Sequence, residues 1–582
     1  MFFFINILKS IVEIAKSIKV KLNLFTKVLF LTISSALELV SIALVIPTLL
    51  AFFNQDKFLE IIKNFTTLSS QNIFNIFIIV LLLFFLFKSL IVTLINNYYL
   101  KFVFKFQSKL SKTLFNTYVN LDYENYTSFN SGKLIKNIST ESRMFAFILI
   151  NFFQLYSEVI FLLLIIAFLF IVNYKIMLFV LLFTTILIVS AFLIFRKRLS
   201  VISKLRVENE FGFFKSIKET FENFKLIKID LKENFFQKKF SSYSDLNSKY
   251  TFKQTFLSQI PKIWIEFIAI LILFTGLFIF QIKNVNFNIE TVMLLGVYGA
   301  AFLKVLPSIN RVIYSFQFLT NNSATVNLII NELRNFNEKK DNFQMREKNK
   351  IIKNSEFNFD EIIELKNISF KYRNEKKFIF ENLNLKIKKN SIIGIYGESG
   401  IGKTTFIDLI SGLLQPSNGT IEVDGKNISE NLESWKKNIS YVTQSVTVID
   451  DRIDRNIAFG YEDDQIDQNK ISKSKKIAEL EKLDGFEKNK FIIGESGSNI
   501  SGGQLQRIGI ARGAYKDTNL LIFDEPTSSL DNATTKKIMS NIFKLFDNKT
   551  IIIISHNMKI IELCEFRYQI KNLQINEINI NS

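Results

Sequence analysis

The chain has 582 residues, several times the roughly 150 of an ordinary domain, so a single core is excluded. Its one cysteine, Cys564, excludes an intrachain disulfide framework and fits a reducing compartment. The formal net charge of +19 would suit nucleic acid, but the excess lies in segments between long apolar runs, where membrane topology explains it better and no nucleic acid is expected.

Residues 1–20 set Lys9, Lys16 and Lys19 among Ile and Phe, which predicts an amphipathic helix lying along the inner membrane surface. No basic stretch followed by a cleavage site precedes the first apolar run, so no removable signal peptide is expected. Crossing the hydrocarbon core takes about 20 apolar residues, and six stretches satisfy this: 28–53, 73–95, 145–172, 176–195, 257–280 and 291–309. Between the first two, Phe58, Ile61, Ile62 and Phe65 fall on one helical face. That face either packs on its own spans or meets lipid at the outer surface.

Two connecting segments are long. The first carries Lys101, Lys105, Lys109, Lys112, Lys133, Lys136 and Arg143; the second opens on Arg196, Lys197 and Arg198 and continues through Lys204, Arg206, Lys215 and Lys218. Excess Lys and Arg beside spans marks the cytoplasmic side. An even number of spans then leaves both the N-terminus and the C-terminal half in the cytoplasm. The expected organisation is an amphipathic helix over 1–20, a membrane domain over 21–330, a linker over 331–358 and a soluble domain over 359–582.

In the soluble half, Gly397-Glu398-Ser399-Gly400-Ile401-Gly402-Lys403-Thr404 follows the apolar strand Ile392 to Ile395 and precedes a helix opening on Thr405 and Phe406. Glycines let consecutive N–H groups turn around phosphates, the helix start adds a positive dipole end, Lys403 neutralises the β and γ oxygens, and Thr404 binds Mg²⁺. ATP with Mg²⁺ is the expected ligand. The apolar run Leu521-Ile522-Phe523 ends on Asp524, placed to reach the metal, and Glu525, whose role would be to polarise the attacking water. The only histidine, His556, directly follows Ile551 to Ser555. It is placed to meet the γ-phosphate, the alternative being a helix cap or a core imidazole.

These motifs, together with Ile500-Ser501-Gly502-Gly503-Gln504, resemble the nucleotide-binding domain of ATP-binding cassette (ABC) transporters, and the whole chain resembles a six-span exporter half-transporter. The resemblance implies a helical membrane domain of the type IV exporter class followed by an α/β P-loop domain. It implies that Ser501 and Gly503, with Gly502 and Gln504, meet the nucleotide of a second subunit. Gln444 would sense metal and phosphate, Tyr372 would stack on adenine, 528–531 with Asp531 would form the D-loop, His556 would be the switch histidine, and Glu495 would communicate with the membrane half. Isoleucine at 500 replaces the family's usual leucine. One phosphate loop and one signature per chain imply two chains, and intact Lys403, Ser501, Glu525 and His556 favour a homodimer. The stretches 121–126 and 211–225 would be coupling helices.

Charged groups inside a bilayer usually face a cavity or a partner. Lys88, Lys262, Lys304 and Arg311 are basic candidates, with Glu38, Glu158 and Glu266 as acids that could pair with them. Snorkelling at span ends is open to Lys262 and Arg311. The sharper reading is a basic cavity wall for an anionic headgroup. Leu306 to Arg311, Ile260 to Glu266, and Glu38 with Pro47 are similar to the PglK-type flippases of bacterial protein N-glycosylation. That similarity implies flipping of a pyrophosphate-linked oligosaccharide lipid from the inner to the outer leaflet of the inner membrane. Lysines at 88, 262 and 304 stand where that pattern has arginines, which keeps charge and loses bidentate geometry. A general lipid or drug exporter is the alternative.

Overall fold

The computed structural model describes residues 2–578 except 22, 54, 64–69, 128, 130, 175–176, 178–200, 203–204, 207–208, 211, 283–288, 335–356, 373–374, 376, 399, 482–490, 495–496, 528 and 546–547. The chain divides into two compact units, Met1–Asn120 with Asn130–Glu338, and Leu121–Phe129 with Lys339–Ser582.

The first unit is helical. Among the described residues three helical stretches are long and apolar enough to cross a membrane, Leu24–Phe53, Asn72–Val119 and Gly132–Val172. The fourth expected span, 176–195, lies outside the described residues but for Met177, while the fifth and sixth fall on the continuous helices Glu233–Ile282 and Ile289–Asn321. Helix Ser70–Val119 has 50 residues, about 75 Å at 1.5 Å per residue. It therefore outruns the ~30 Å hydrocarbon core, and its lysine-rich second half extends the helix beyond the apolar stretch. Exposed Ile79, Val80, Leu82, Leu83, Leu86, Phe87 and Leu90 give that stretch an apolar exterior, as lipid contact requires.

The first span is broken. Helix Leu24–Ala43 stops and Val45–Phe53 begins after Leu44. Pro47 explains the position, because its ring collides with the carbonyl four residues earlier, that of Ala43, and it offers no N–H to it. Helix Ser142–Val172 is the buried centre of the unit, with Phe145, Leu149, Phe153, Ile165 and Leu169 enclosed. It packs on Leu24–Ala43, Ser70–Val119 and Ile289–Asn321, and Ser35 donates to the Ser157 carbonyl at 3.0 Å. Small polar residues allow such close approach.

Helix Phe2–Ser17 is amphipathic. Ile7, Ile11, Ile14 and Ile18 repeat at helical spacing and are buried within the protein, while Lys9 and Lys16 are exposed. In helix Gln55–Lys63, Phe58 is buried against Phe77, ring centroids 5.0 Å apart. That places Phe58 on its own spans; Phe65 and the side chains of Ile61 and Ile62 lie outside the described set.

The second unit holds two sheets. Strands β1 (Ile362–Phe370), β2 (Phe380–Lys388), β4 (Asn418–Val423) and β5 (Lys426–Asn427) form an antiparallel sheet ordered β2-β1-β4-β5. Strands β3 (Ile392–Tyr396), β6 (Ile439–Val442), β7 (Leu520–Asp524), β8 (Thr550–Ser555), β9 (Phe566–Lys571) and β10 (Gln574–Glu577) form the other, ordered β10-β9-β3-β8-β7-β6. All pairs in it but β10–β9 are parallel. The central strands β7 and β8 are near-continuous Leu and Ile because both faces are buried, one in a core shared with the antiparallel sheet and helix Lys403–Ile410, the other against helices Gly502–Lys516 and Asn532–Leu545.

Candidate functional site

Register decides where the chemistry gathers. Ile395 pairs with Ile554, Ile554 with Asp524, and Phe523 with Val442, so β3, β8, β7 and β6 end at one edge of the sheet. Loops at the carboxyl edge of parallel strands bind ligands in such folds. Here they carry the phosphate loop, His556, Asp524 with Glu525, and Gln444.

The phosphate loop turns through two left-handed glycines, Gly400 (φ 81°) and Gly402 (φ 109°). A Cβ on Gly402 would also stand 2.7 Å from Ile379, so the position demands glycine twice over. Gly402 precedes helix Lys403–Ile410, whose positive dipole end faces the loop. Lys403 is buried, and its Nζ donates to the Gly397 carbonyl at 2.8 Å and to Glu525 at 3.2 Å. Thr404 is exposed, whereas Thr405 is buried and its hydroxyl lies 3.1 Å from the Tyr372 phenol. Ser399 and Glu495 lie outside the described residues.

Glu525 is the hub. Its Oε1 receives Lys403 and, at 3.1 Å, His556 Nδ1; its Oε2 accepts from Gln444 Nε2 at 2.9 Å. Burial alone would raise this carboxyl, but the hydrogen bonds from His556 and Lys403 together outweigh it and hold the pKa below the usual carboxylate range. His556 is mostly exposed, which disposes of the core-imidazole alternative. Asp524 is buried and accepts from the Tyr441 phenol at 3.3 Å. Burial raises its pKa, with Tyr441 opposing.

The signature segment begins helix Gly502–Lys516. Ser501 caps it, accepting from Gln504 N–H at 3.3 Å while Gln504 Oε1 accepts from Ser501 N–H at 2.7 Å, a reciprocal capping box. Gly503 leaves room for the Ser529 carbonyl, which would stand 3.2 Å from an added Cβ. Asp531 accepts from Thr534 N–H at 2.9 Å, capping helix Asn532–Leu545. Three participants were not singled out from sequence: Gln506, Tyr441 and Asp408. Each is a polar residue on an otherwise apolar helix or strand face, which is the one signal they offered. The short helix Tyr123–Thr127 belongs to this unit. Burial, followed by the charge of Asp408, raises the Tyr123 phenol.

The donor set fits a magnesium nucleotide: a lysine and a helix start for phosphates, and an exposed Thr404 hydroxyl with the Asp524 carboxylate for a cation. Among the described residues no group of three or more His, Cys, Asp or Glu could hold a metal by itself. A magnesium ion fits this, because it draws most of its ligands from water and phosphate.

In the membrane unit, Glu38 Oε2 receives both Lys88, at 2.9 Å, and Lys304, at 3.0 Å, and Lys88 also donates to Ser41 at 3.1 Å. Arg311 grips Glu158 through two nitrogens, and Ser308 donates to the same carboxylate at 2.6 Å. Lys304, Ser308 and Arg311 share a helix face. Pairing therefore accounts for buried Lys88, while Lys304 and Arg311 remain about half exposed. The side chain of Lys262 lies outside the described set.

Residues 28–303 match the ABC transporter transmembrane region, and residues 380–528 match the ABC transporter family. The chain therefore belongs to the ABC transporters. It joins a helical membrane region to a nucleotide-binding domain, the exporter arrangement. It is 32% identical over 207 residues to the ATP-dependent lipid A-core flippase of Ralstonia nicotianae, covering 34% of each chain. To the flippase of the same description from Coxiella burnetii it is 36% identical over 210 residues, 35% of each. To the alpha-hemolysin translocation ATP-binding protein of Proteus vulgaris it is 35% identical over 206 residues, 34% of this chain and 28% of that one. The matched length is thus about a third of these curated relatives. A bacterial Atm1-family ABC exporter solved with ATP bound shares the fold, with a TM-score of 0.74, 17% identity and 95% of each chain covered.

Proposed function

We propose that the protein is an ATP-driven transporter of the inner membrane that works as a homodimer, its nucleotide-binding domain and N-terminus in the cytoplasm. The observation that carries the reading is the convergence of Lys403, Gln444 and His556 on the Glu525 carboxylate. Bound Mg²⁺ would supply charge neutralisation at the phosphates, with Thr404, Asp524 and Gln444 as its protein contacts. Lys403 would hold the β and γ oxygens, Glu525 would orient and deprotonate water, and His556 would contact the γ-phosphate. Ser501 to Gln504 would close over the partner's nucleotide, and Tyr372 would stack on its own adenine. The pieces 121–126 and 211–225 would carry the motion to the spans.

The cargo we infer is an anionic lipid, in the sharper form a pyrophosphate-linked oligosaccharide flipped from the inner to the outer leaflet. Three cations, Lys88, Lys304 and Arg311, meet two carboxylates, Glu38 and Glu158, so these five groups together carry one net positive charge. The general lipid exporter is the second reading, favoured by relatives described as lipid A-core flippases. Reconstituted vesicles loaded with fluorescent pyrophosphate-linked or neutral lipids decide between them. ATP-dependent flipping confined to the pyrophosphate lipid supports the first; equal flipping of both supports the second.

A further inference from the structure

Gln506 sits one turn into the signature helix, 5% exposed, with both ends of its amide engaged. Its Nε2 donates to the Glu525 carbonyl at 3.1 Å and its Oε1 accepts from the Ser529 N–H at 2.9 Å. A buried primary amide is costly unless hydrogen-bonded, and here both bonds go to main-chain atoms of the segment that follows β7. Glu525 needs such support. Its φ of 48° is left-handed, a conformation unfavourable for a non-glycine residue that persists only where surroundings impose it. One anchor is the Glu525 N–H, which donates to the Ile554 carbonyl at 2.8 Å; the other is Gln506. The Ser529 carbonyl lies against Gly503, so the signature helix meets the segment before Asp531 both at its glycine and through Gln506, which also holds the main chain of Glu525.

We propose that Gln506 is a positioning residue linking the two nucleotide sites of the dimer: it converts engagement of Ser501 with the partner's nucleotide into the backbone setting of Glu525 in its own site. The inference rests on the proposed ATPase reading. Ser501 caps the helix on which Gln506 lies five residues on, about 7.5 Å of rise, and a capped helix moves as a body. Drawing the cap toward a phosphate therefore carries the amide, and with it Glu525 and Ser529.

The test uses the full chain in lipid nanodiscs with MgATP and the variants Gln506→Leu, Gln506→Glu and Glu525→Gln. Gln506→Leu removes both bonds. Gln506→Glu keeps the acceptor for Ser529 and sets a carboxylate oxygen against the Glu525 carbonyl. The expected result for both is a kcat lowered about tenfold or more, KM for ATP within about twofold of wild type, and a Hill coefficient reduced toward one, the signature of lost transition-state positioning rather than lost binding. A purely structural role would lower the unfolding temperature and move kcat and KM together with the Hill coefficient unchanged, and that would overturn the proposal. So would wild-type kcat and cooperativity in either variant. If Gln506→Leu does not fold, Gln506→Glu decides by the same readings. Glu525→Gln separates the levels: normal turnover there defeats the ATPase reading itself, whereas an inactive Glu525→Gln beside normally active Gln506 variants defeats only this inference.

Discussion

Glu525 concentrates the chemistry because a strand end, a phosphate loop and a second strand end all deliver donors to its carboxylate. Glu525→Gln keeps the size and an oxygen acceptor for Gln444 but removes the proposed base. Steady-state hydrolysis is expected to fall by about 10²–10⁴, with nucleotide affinity retained in equilibrium binding; turnover near wild type would refute the assignment. Asp408 makes a different prediction. Burial, and then the neighbouring Asp524, push its carboxyl up to about 6 from 3.8. A raised acid pKa means that the folded state binds the proton more tightly, so the contribution of Asp408 is whole below about pH 4 and is lost as pH climbs through 6. Asp408→Asn is therefore expected to stabilise the nucleotide-free protein by about 1 kcal/mol at pH 7.5 after solvent screening, and to do little at pH 4, as read by thermal unfolding at both values. The phosphate loop, Asp524, Glu525 and His556 were legible because glycine spacing and strand-end position are local signals. Gln506 and Asp408 were not, since a buried polar residue declares itself only through partners distant in sequence.

Among the elements, a π-turn stands out. Asn137–Glu141 follows helix Ser131–Lys136 and is held from two sides. Asn137 donates to the Tyr118 phenol at 2.9 Å, which donates to Glu332 at 3.2 Å, and Thr325 donates to Glu141 at 2.8 Å. Tyr118 lies at the end of helix Ser70–Val119, and Thr325 and Glu332 lie on the helical stretch 323–334, so the turn ties the segment between the second and third expected spans to the end of the membrane unit. Thr325→Val leaves the buried Glu141 short of a donor and should cost about 1–3 kcal/mol in thermal unfolding, with Glu141→Gln partly offsetting it in the double variant; strict additivity would contradict the link. No sequence pattern announces a π-turn. The first three expected spans fall on stretches long and apolar enough to cross a membrane, whereas the break at Leu44 was not expected although Pro47, its cause, was in view. The pairing of Glu38 with Lys88 and Lys304 was left open, because periodicity fixes the face of one helix and says nothing of its neighbour. On helix Ile289–Asn321, Lys304→Gln with Arg311→Gln is expected to lower cargo-stimulated ATPase several-fold more than basal ATPase. Equal loss of both would assign the pair to structure alone.

At the scale of the whole molecule, each chain carries one phosphate loop and one signature helix, and the account requires that they meet across two copies. Residues Leu121–Phe129, with helix Tyr123–Thr127, group with the nucleotide-binding unit although the chain on either side of them belongs to the membrane unit, which is why a coupling role is proposed for 121–126. Phe214, Phe221, Phe224 and Ile229, in and just after the proposed coupling stretch 211–225, are exposed. Because Cys564 is the only cysteine and is buried, the dimer can be tested by cross-linking on a clean background. In Cys564→Ser, Glu525→Gln protein reconstituted in lipid, Ile401→Cys and Ile500→Cys place one thiol in the phosphate loop and one at the signature without disturbing the left-handed glycines or Ser501. Oxidation with MgATP present is expected to give a covalent dimer of twice the chain mass, and little of it without nucleotide. A chain that stays monomeric with MgATP, while the parent protein hydrolyses ATP normally, would contradict the account.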